Sequence, residues 1–443
     1  MAVDPVRDTA INVLMRVFTK GAFINVALDR ALRRKPISSR GRRFLTQLVY
    51  GTVRHATLCD HVLQRLLNQP LDELPDPIRM VLRMGVFQAL FCNQVTFPAM
   101  VHTSVDLAKR HGHAGMGRLA NAVLRKAPQT LEAVALPSAE TDLAAYIAAR
   151  YSLPEWLAEE WIRLFGPEQA EALAEACNKP AAVTVRANTR HLSRDELVDR
   201  FNRAGGRAFP IPEIPEAVAV ENELPPSRSK QFDDGDFYQQ DPAAMLAVHL
   251  LEPQPGDRVL DMCAAPGGKT THIAQVTDCA ASTVALDLHA RKTGMILDNA
   301  ERLGLTGVHA VCGDGARPPF TGPFDRVLLD APCTGYGTFR RRPELKYRLT
   351  PDSPKEFGSL QRDLLRSAAR LCKSEGVIVY SVCTFSPQET QDVVDSLLEE
   401  GVVRVEEGPQ WLRRWRTETG AYQTLPHPHH LDGFFLIRLR KAS

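Results

Sequence analysis

The stretch VLDMCAAPGGKT, residues 259–270, decides the fold of the C-terminal half of the chain. A short apolar run ends in an acid, Asp261, and a turn of small residues with Gly267 and Gly268 leads into a predicted helix. Small residues let a ligand approach the backbone, and a helix N-terminus offers amide donors. The stretch matches neither the G-x-G-x-x-G dinucleotide fingerprint nor the phosphate-binding G-x-x-x-x-G-K-[ST] pattern. It therefore predicts a ligand-binding turn between a strand and a helix.

Further short runs rich in β-branched residues continue this rhythm, with helical stretches between them. After 258–262, they cover residues 283–287, 308–312, 326–330 and 377–381. Strands that alternate with helices predict a parallel sheet with helices on both faces. Ligands of such sheets bind at the carboxyl ends of the strands, near the point where the strand order reverses. We therefore expect the functional residues at the strand ends.

Two acids stand at such ends. Asp287 closes the second strand roughly 20 residues past the glycine turn, where an acid can accept hydrogen bonds from ribose hydroxyls. Asp314 follows the third strand, where a carboxylate can reach an adenine amino group. Together they outline an adenosine pocket, and the missing phosphate-binding pattern favours S-adenosylmethionine over a nucleotide.

Two cysteines follow the ends of neighbouring strands. Cys333 lies in LLDAPCTGYG, residues 328–337, and Cys383 lies in VYSVCTFSPQE, residues 379–389. A thiolate is a strong nucleophile. One methyl transfer that needs such a nucleophile is that to C5 of cytosine, because addition of a thiolate to C6 makes C5 enamine-like and able to attack a methyl group. An acid near N3 stabilises the adduct, and a base must later remove the C5 proton. The chemistry alone leaves open which cysteine attacks. A redox disulfide pair is the alternative, but it lacks C-x-x-C spacing and does not account for an adenosine pocket.

The rest of the chain predicts two further modules. Up to about Pro128 the apolar residues recur at helical spacing without strand-like alternation, which predicts an all-helical domain. A mixed segment follows, with helices and a strand at AVTVRAN, residues 182–188. The predicted domains are therefore 1–130 (all-α), 140–232 (a small α/β module) and 233–443 (a Rossmann-like α/β domain).

The composition bounds the class of protein. The chain has 443 residues, of which 44% are hydrophobic and 24% charged, with a net charge of +2. These values are typical of globular proteins of two or three domains. Nine cysteines without regular spacing do not indicate a disulfide framework, and no apolar run is long enough to span a bilayer. The N-terminus MAVDPVRDTA has no signal-peptide core. We therefore expect a cytoplasmic protein that does not bind membranes. The sequence does not give its oligomeric state, and a monomer is the expectation.

Two basic clusters and one histidine-rich stretch stand out. The clusters are Arg30, Arg33, Arg34, Lys35, Arg40, Arg42 and Arg43, and then Arg340, Arg341 and Arg342. Such clusters neutralise the phosphates of nucleic acids or form solvated helix faces. LPHPHH, residues 425–430, is not expected to bind a metal, because prolines interrupt any regular ligand geometry. A loop over the mouth of the active site is the expected role.

Four motifs then carry a family resemblance. DMCAAPGGKT, DAPCTG, YSVCT and the terminal DGFFLIRLRK resemble the RNA cytosine-5 methyltransferases of the NOL1/NOP2/Sun type. The helical N-terminus resembles the NusB-like domain of the bacterial 16S ribosomal RNA branch (Sun/Fmu). The resemblance covers essentially the whole chain. It implies a class I methyltransferase domain that uses S-adenosylmethionine, no metal, and small-subunit ribosomal RNA as substrate.

The resemblance also implies roles for single residues. Cys383 would be the nucleophile, and Cys333 would assist proton removal and release. Asp330 would complete the cofactor pocket and face N3 of the target base. The remaining residues that the resemblance places at the cofactor are Cys263, Ala264, Ala265, Pro266, Gly267, Gly268, Lys269, Asp287 and Asp314. Two alternatives stay open: the same chemistry on transfer RNA, and a mainly non-catalytic RNA-binding or ribosome assembly factor.

Overall fold

The computed structural model describes residues 3–34, 37–221 and 226–443. Lys35 of the first basic cluster and residues 222–225 of the predicted middle module lie outside the described residues. The chain divides into two compact units. The first contains the residues up to Lys179 together with Phe339–Leu349, and the second contains Pro180–Thr338 together with Thr350–Ser443. The predicted domain boundaries at 1–130, 140–232 and 233–443 stay a prediction.

The first unit is helical throughout its described residues. Its helices are α1 (Pro5–Lys20), α2 (Ile24–Arg34), α3 (Ser39–Arg54), α4 (Ala56–Leu66), α5 (Asp76–Phe91), α6 (Phe97–His111), α7 (Ala114–Leu124), α8 (Leu143–Tyr151), α9 (Glu155–Phe165) and α10 (Pro167–Asn178). Ser38 caps α3, because its side chain accepts a hydrogen bond from the backbone of Gly41. The apolar face of α5, with Ile78, Val81 and Leu82, lies in the core. The predicted all-helical N-terminus is thereby confirmed.

The segment Phe339–Leu349 belongs to this helical unit although it follows the Cys333 loop in sequence. The ring of Phe339 stacks on Trp161, with 6.2 Å between the ring centroids. A 3₁₀ turn, Pro343–Tyr347, carries the fully buried Lys346, whose Nζ donates to Asn178 Oδ1 at 2.6 Å. Burial lowers the pKa of Lys346 to about 7. The segment is therefore part of the interior of the helical unit.

The second unit begins with a small antiparallel sheet in the order β2-β3-β1-β4. Its elements are β1 (Val183–Ala187), α11 (Arg194–Arg203), β2 (Arg207–Pro210), β3 (Ala217–Glu221), α12 (Lys230–Asp233) and β4 (Phe237–Gln239). Ser193 and Glu196 form a capping box at the start of α11. The sequence predicts β1 and α11 but not the other strands, which are short and have weak alternation.

The second unit continues with a large sheet in the order β10-β12-β9-β8-β5-β6-β7, and β11 pairs with β12. Its elements are α13 (Pro242–Leu251), β5 (Arg258–Met262), α14 (Gly268–Val276), β6 (Ser282–Asp287), α15 (Ala290–Arg302), β7 (Val308–Cys312), β8 (Phe324–Asp330), α16 (Ser353–Leu371), β9 (Cys372–Val382), α17 (Gln391–Glu399), β10 (Val403–Val405), β11 (Tyr422–Thr424), α18 (Pro426–His429) and β12 (Phe434–Lys441). In the described part of the chain, no helix is both long and apolar enough to cross a bilayer.

The five predicted strands pair in parallel, as expected, but the antiparallel edge of the sheet was not predicted from the sequence. Strands β5 to β9 pair in parallel. Strand β12 pairs antiparallel with β9, and β10 and β11 pair antiparallel with β12. An antiparallel edge strand is common on otherwise parallel sheets and needs no crossover helix, so the strand–helix rhythm does not reveal it. The parallel register brings the ends of β5, β6 and β8 to one edge, where Met262 pairs with Leu286 and Leu329.

Candidate active site

The turn after β5 folds tightly enough to leave its backbone exposed to a ligand. Cys263 has a left-handed φ of 61°, and Gly267 has a φ of 99°. A Cβ on Gly267 would lie 3.1 Å from the Cα of Ile296 in α15, so only glycine fits there without strain. Helix α14 begins at the next residue, Gly268. The turn therefore presents small residues and the first amides of a helix at the same edge of the sheet.

Asp261 lies beneath this turn. Its side chain is fully buried, and its Oδ2 accepts a hydrogen bond from Thr270 Oγ1 at 2.5 Å. Burial raises the pKa of Asp261 to about 7. Among the described residues no hydrogen-bond donor reaches its Oδ1, which is a buried acceptor at the base of the turn. A buried acceptor of this kind fits a cationic or N–H-bearing ligand group.

The two predicted adenosine-binding acids lie at the same edge. The Asp287 carboxylate accepts hydrogen bonds from the backbone of Ala265 at 3.2 Å and of His289 at 3.1 Å, so it is tied to the turn after β5. Asp287 pairs in register with Cys312, and Asp314 follows two residues later. Asp314 is exposed, and its Oδ1 accepts from the backbone of Ala316 at 2.9 Å. Both carboxylates keep unshared acceptor capacity.

Asp330 joins the cofactor turn to the cysteine loops. Its Oδ2 accepts from Lys269 Nζ at 2.5 Å, and its Oδ1 accepts from Ser381 Oγ at 2.9 Å. Lys269 is the last residue of the predicted cofactor set in the turn, and its ammonium lies 5.6 Å from the ring centroid of Phe434. This ion pair is partly buried: the Lys269 side chain is 11% exposed and the Asp330 side chain is 32% exposed.

The two cysteines meet where β8 and β9 end. The sulfurs of Cys333 and Cys383 lie 3.2 Å apart, and both are free thiols. The strands hold this arrangement, because Asp330 pairs with Ser381 in the parallel ladder. The backbone of Gly337, beyond Cys333, donates to the carbonyl of Cys383 at 3.0 Å. The structure therefore brings together the two cysteines and the acid that the sequence singles out.

The Cys333 thiol is held in its protonated form. The hydrogen bond to Cys383, burial, and the nearby charges of Glu389 and Asp330 raise the pKa of Cys333 well above its ordinary range. Burial also raises the pKa of Cys263, to about 12, so this cysteine of the cofactor turn is a neutral thiol.

Two buried charged residues support the site and were missed from the sequence. Glu389 accepts from the backbone and hydroxyl of Thr334, the residue after Cys333. Arg186 of β1 is fully buried and donates to the carbonyl of Gly268 at 2.6 Å, at the start of α14. Arg186 stands between two buried apolar residues of a predicted strand, and that position was the available signal.

One group of potential metal ligands occurs within the described ranges. His249 Nε2 and His272 Nε2 lie 2.9 Å and 2.6 Å from Glu216 Oε1. Burial lowers the pKa of His272 to about 4, so it is a neutral imidazole. Burial lowers the pKa of Arg186 to about 10, and the charge of Glu216 opposes that shift, so the carboxylate serves as the counter-charge of the guanidinium. The expected absence of a metal stays a prediction.

The histidine-rich stretch leads directly to the cysteine loop. His429 Nδ1 accepts from the backbone of Leu425 at 3.0 Å. The backbone of Gly433, a few residues later, donates to the carbonyl of Gly337 at 2.9 Å, and a Cβ on Gly337 would overlap the Gly433 backbone. The expectation that LPHPHH covers the mouth of the site stays a prediction.

The arginine clusters stay unassigned by the geometry. Arg33 of the first cluster pairs with Asp29, and Arg42 donates to the carbonyl of Ile37. Arg340 to Arg342 lie in the segment that belongs to the helical unit, and the carbonyl of Arg340 accepts from Arg54. Their contact with phosphates remains a prediction.

Comparison with known proteins decides the family. Residues 248–440 match the 16S rRNA methyltransferase RsmB/F family, residues 4–129 match the NusB family, and residues 153–226 match the RsmF/B-like ferredoxin-like domain. The probable ribosomal RNA small subunit methyltransferase B of Bacillus subtilis is 33% identical, over 100% of both chains. The chain belongs to the 16S rRNA methyltransferase RsmB/F family. The predicted methyltransferase class and the predicted three-part fold class are therefore confirmed.

Other members of the RsmB/F family and solved structures agree. The ribosomal RNA small subunit methyltransferase B of Thermus thermophilus is 37% identical over 88% of this chain and 87% of its own length. The crystal structure of PH0851 is 26% identical and covers 100% of both chains, with a TM-score of 0.84. A methyltransferase homolog protein from Pyrococcus horikoshii is 28% identical over 69% of this chain and 100% of its own length, with a TM-score of 0.59.

Proposed function

We propose that this enzyme transfers a methyl group from S-adenosylmethionine to C5 of a cytosine in 16S ribosomal RNA, through a covalent bond between Cys383 and C6. The observation that carries this proposal is the 3.2 Å approach of Cys333 and Cys383 at the ends of β8 and β9, beside Asp330. Cytosine C5 methylation needs a nucleophile and a base on the same base ring, and two adjacent thiols supply both.

The residues around the turn fit S-adenosylmethionine. The buried Asp261 Oδ1 is an acceptor suited to an ammonium group, and the Asp287 carboxylate is suited to ribose hydroxyls. Leu288, next to Asp287, is 61% exposed and offers an apolar surface for a flat ring. The proposed cofactor residues are Cys263, Ala264, Ala265, Pro266, Gly267, Gly268, Lys269, Asp287, Asp314 and Asp330. When bound, the cofactor supplies an electrophilic methyl group.

Cys383 is the proposed nucleophile. Cys383 directly follows β9, and its motif YSVCT resembles that of the family's attacking cysteine, so the attacking group is its thiolate. Addition of that thiolate to C6 forms a carbon–sulfur bond and moves an electron pair toward N3 and C5. Asp330, held between Lys269 and Ser381, is the proposed group on the N3 side of the ring.

Cys333 is the proposed base of the release step. Once C5 carries the methyl group, its remaining proton must leave before the ring regains aromaticity. Cys333 first loses its own proton to solvent, and its thiolate then accepts the C5 proton while the electron pair of the C5–H bond restores the C5–C6 double bond and the carbon–sulfur bond breaks. Cys383 leaves as a thiolate and Cys333 is again a thiol, so the methyl transfer releases one proton to solvent and the enzyme returns with the same number of protons.

The substrate is proposed from the family. The curated relatives are named as methyltransferases of small-subunit ribosomal RNA. A target base in a duplex must be unstacked to reach a pocket at strand ends, at a cost of a few kcal/mol. Residues 1–130 and the arginines Arg340 to Arg342 are the proposed RNA-binding parts, with 140–232 and 233–443 as the connecting and catalytic domains. We also propose that the enzyme acts as a monomer in the cytoplasm, where ribosomal RNA matures, without a metal.

Single substitutions of the two cysteines test the chemistry. Cys383→Ala should abolish methyl transfer to 16S ribosomal RNA, because no thiol attacks C6. Cys333→Ala should instead accumulate a protein–RNA adduct that survives denaturing electrophoresis, because the C5 proton is not removed. Undiminished turnover of Cys383→Ala would contradict the mechanism.

The RNA substrate is tested separately. Bisulfite sequencing of RNA from cells that lack the gene should reveal the loss of one 5-methylcytosine from 16S ribosomal RNA. Loss from transfer RNA instead would keep the chemistry and replace the substrate. An unchanged methylation pattern, with no binding of S-adenosylmethionine in calorimetry, would favour the assembly-factor alternative.

A further inference from the structure

A single carboxylate lies behind both cysteine loops. Glu389 is fully buried and follows β9 in a 3₁₀ turn, Pro387–Glu389. Its Oε1 accepts from the backbone N–H of Thr334 at 2.8 Å, and its Oε2 accepts from the Thr334 hydroxyl at 2.5 Å. Its Oε2 also accepts from the Thr384 hydroxyl at 3.3 Å. Thr334 directly follows Cys333 and Thr384 directly follows Cys383, so one carboxylate holds the neighbours of both sulfurs.

The position of this carboxylate is itself fixed from two further sides. Gln361 of α16 donates to Glu389 Oε1 at 3.2 Å and to the carbonyl of Pro332 at 2.8 Å. The Tyr380 hydroxyl donates to the Glu389 carbonyl at 2.7 Å. The hydroxyls of Thr334 and Thr384 lie 2.9 Å from each other, which closes the network. The charges of Glu389 and Asp330 both act on the Cys333 thiol.

We propose that Glu389 is a positioning residue that fixes the distance between the Cys333 and Cys383 sulfurs. The carboxylate accepts from residues of both loops, so it adds a shared acceptor to the direct Thr334–Thr384 and Gly337–Cys383 hydrogen bonds between them. Attack by one sulfur and proton removal beside the other demand both sulfurs on one base ring. This inference rests on the proposed function, because the sulfur spacing matters only if both thiols act on the same substrate.

Two substitutions separate the positioning role from simple packing. Glu389→Ala removes both carboxylate oxygens, so Thr334 and Thr384 lose the acceptor that they share. Glu389→Gln has the same shape, and its amide N–H can donate to the hydroxyls of Thr334 and Thr384, which are also acceptors. The matched control is Glu216→Ala, which removes another buried carboxylate of the same unit, bonded to His249 and remote in sequence from the cysteine loops.

Chemical cross-linking measures the sulfur spacing without any methyl transfer. The purified full-length protein is treated with 4,4′-dithiodipyridine, which accepts two electrons and leaves as two molecules of 4-thiopyridone while the two thiols lose their protons and form one disulfide. Mass spectrometry quantifies the peptide pair that joins Cys333 to Cys383. We expect Glu389→Ala to form this disulfide at least about tenfold more slowly, and Glu389→Gln and Glu216→Ala to resemble the wild type.

Steady-state kinetics supplies the second readout. We expect Glu389→Ala to lower kcat by about 100-fold, the cost of misplacing a catalytic group by about 1 Å, with the KM for S-adenosylmethionine unchanged. Glu389→Gln should recover most of that kcat. Wild-type cross-linking in Glu389→Ala, or equally slow cross-linking in Glu216→Ala, would overturn the inference. If Glu389→Ala does not fold, Thr384→Val, which removes one link, must still slow cross-linking for the inference to stand.

The cross-linking readout also separates the two proposals. If the wild type fails to methylate cytosine in RNA but Glu389→Ala still slows cross-linking, the proposed function fails and the positioning of the sulfurs survives. If methylation proceeds and cross-linking is insensitive to Glu389, the positioning inference alone fails.

Discussion

Two regions of the active site, the cofactor turn and the pair of cysteine loops, are each held by one buried charged side chain, but the two side chains carry opposite charges. Arg186 lies behind the cofactor turn, and Glu389 lies behind the cysteine loops. Arg186 donates to Gln275, Gln240, Thr271 and the Gly268 carbonyl. Glu389 instead collects donors from the two loops that it joins.

The difference between them lies in their response to pH. Burial lowers the pKa of Arg186 to about 10, so it remains a cation throughout the neutral range. Burial raises the pKa of Glu389 to about 7, although hydrogen bonds from Thr334 and Gln361 oppose the shift. The cofactor turn therefore has a permanent support, whereas the cysteine loops depend on a group that titrates near neutrality. Two side chains that are equally buried can therefore differ in whether they keep their charge near neutral pH.

Removing the cation should have the largest effect. Arg186→Met leaves the Gly268 carbonyl and the side chains of Gln240 and Gln275 without their buried donor, and it leaves Glu216 without its counter-charge. We expect a loss of about 4 kcal/mol in the free energy of unfolding, measured by urea denaturation.

The control for this loss is an exposed arginine of the same unit. Arg404 pairs with Glu375 on the surface, with both side chains about half exposed. Arg404→Met should cost less than about 1 kcal/mol. If Arg186→Met also loses less than about 1 kcal/mol, the buried cation does not support the cofactor turn.

The pH dependence of stability should have the next largest effect. A carboxyl group whose pKa rises from 4.5 when unfolded to about 7 when folded binds protons more tightly in the folded state. The free energy of unfolding therefore decreases as the pH rises from about 4.5 to about 7, and stays level above. The difference of pKa corresponds to about 3 kcal/mol as an upper bound.

Glu389→Gln isolates this contribution. The pKa of Asp261 is also raised, but equally in the wild type and in the variant, so its effect cancels when the two are compared. Urea denaturation of the wild type and Glu389→Gln from pH 5 to 8 should show the wild type losing stability relative to the variant as the pH rises. Parallel profiles would mean that Glu389 does not titrate in this range.

Arg186→Lys should have a smaller effect and sharpens the role of the cation. An ammonium group keeps the charge but cannot direct separate donors to Gln240, which follows β4, and to three acceptors in α14, as a planar guanidinium does. We expect a loss of about 2 kcal/mol, roughly half that of Arg186→Met, since several acceptors lose a donor. If Arg186→Lys is as stable as the wild type in thermal unfolding, charge alone supports the turn.

Thr384→Val should have the smallest effect. The Thr384 hydroxyl makes the longest of the hydrogen bonds to the Glu389 carboxylate, at 3.3 Å, and valine keeps the shape of the side chain. We expect a loss of about 1 kcal/mol in the free energy of unfolding. Thr334→Val, which removes the 2.5 Å bond, is the matched variant and should lose more. If Thr384→Val loses more stability than Thr334→Val, the length of these hydrogen bonds does not indicate their contribution to stability.

The parts of the site that the sequence predicts are those that depend on local patterns. The strand ends, the turn after β5 and the two cysteine loops follow from short apolar runs next to small or reactive residues. Parallel strands in register then bring Asp287, Asp330, Cys333 and Cys383 to one edge. The phosphate contacts of Arg340 to Arg342 stay a prediction, because they depend on a partner and not on a local pattern of this chain.

The supporting roles of Arg186 and Glu389 could not be predicted from the sequence, and the reason is physical. Arg186 donates to residues more than fifty positions away, and Glu389 accepts from Thr334, fifty-five positions before it. A buried charge is indistinguishable in a sequence from an exposed one until the packing around it is known. The antiparallel strand β12 escaped the strand–helix rhythm because an antiparallel edge strand needs no crossover helix.

The segment Phe339–Leu349 has a consequence for synthesis on the ribosome. Trp161 and Asn178 are made early, but the ring that stacks on Trp161 and the lysine that bonds Asn178 are encoded after residues 180–338. At ordinary translation rates, the nascent helical unit waits on the order of ten seconds for the segment that completes it. Its last buried piece arrives only after the ribosome has made both the cofactor turn and the first cysteine loop. The helical unit is thus completed only in chains that have been translated beyond Cys333.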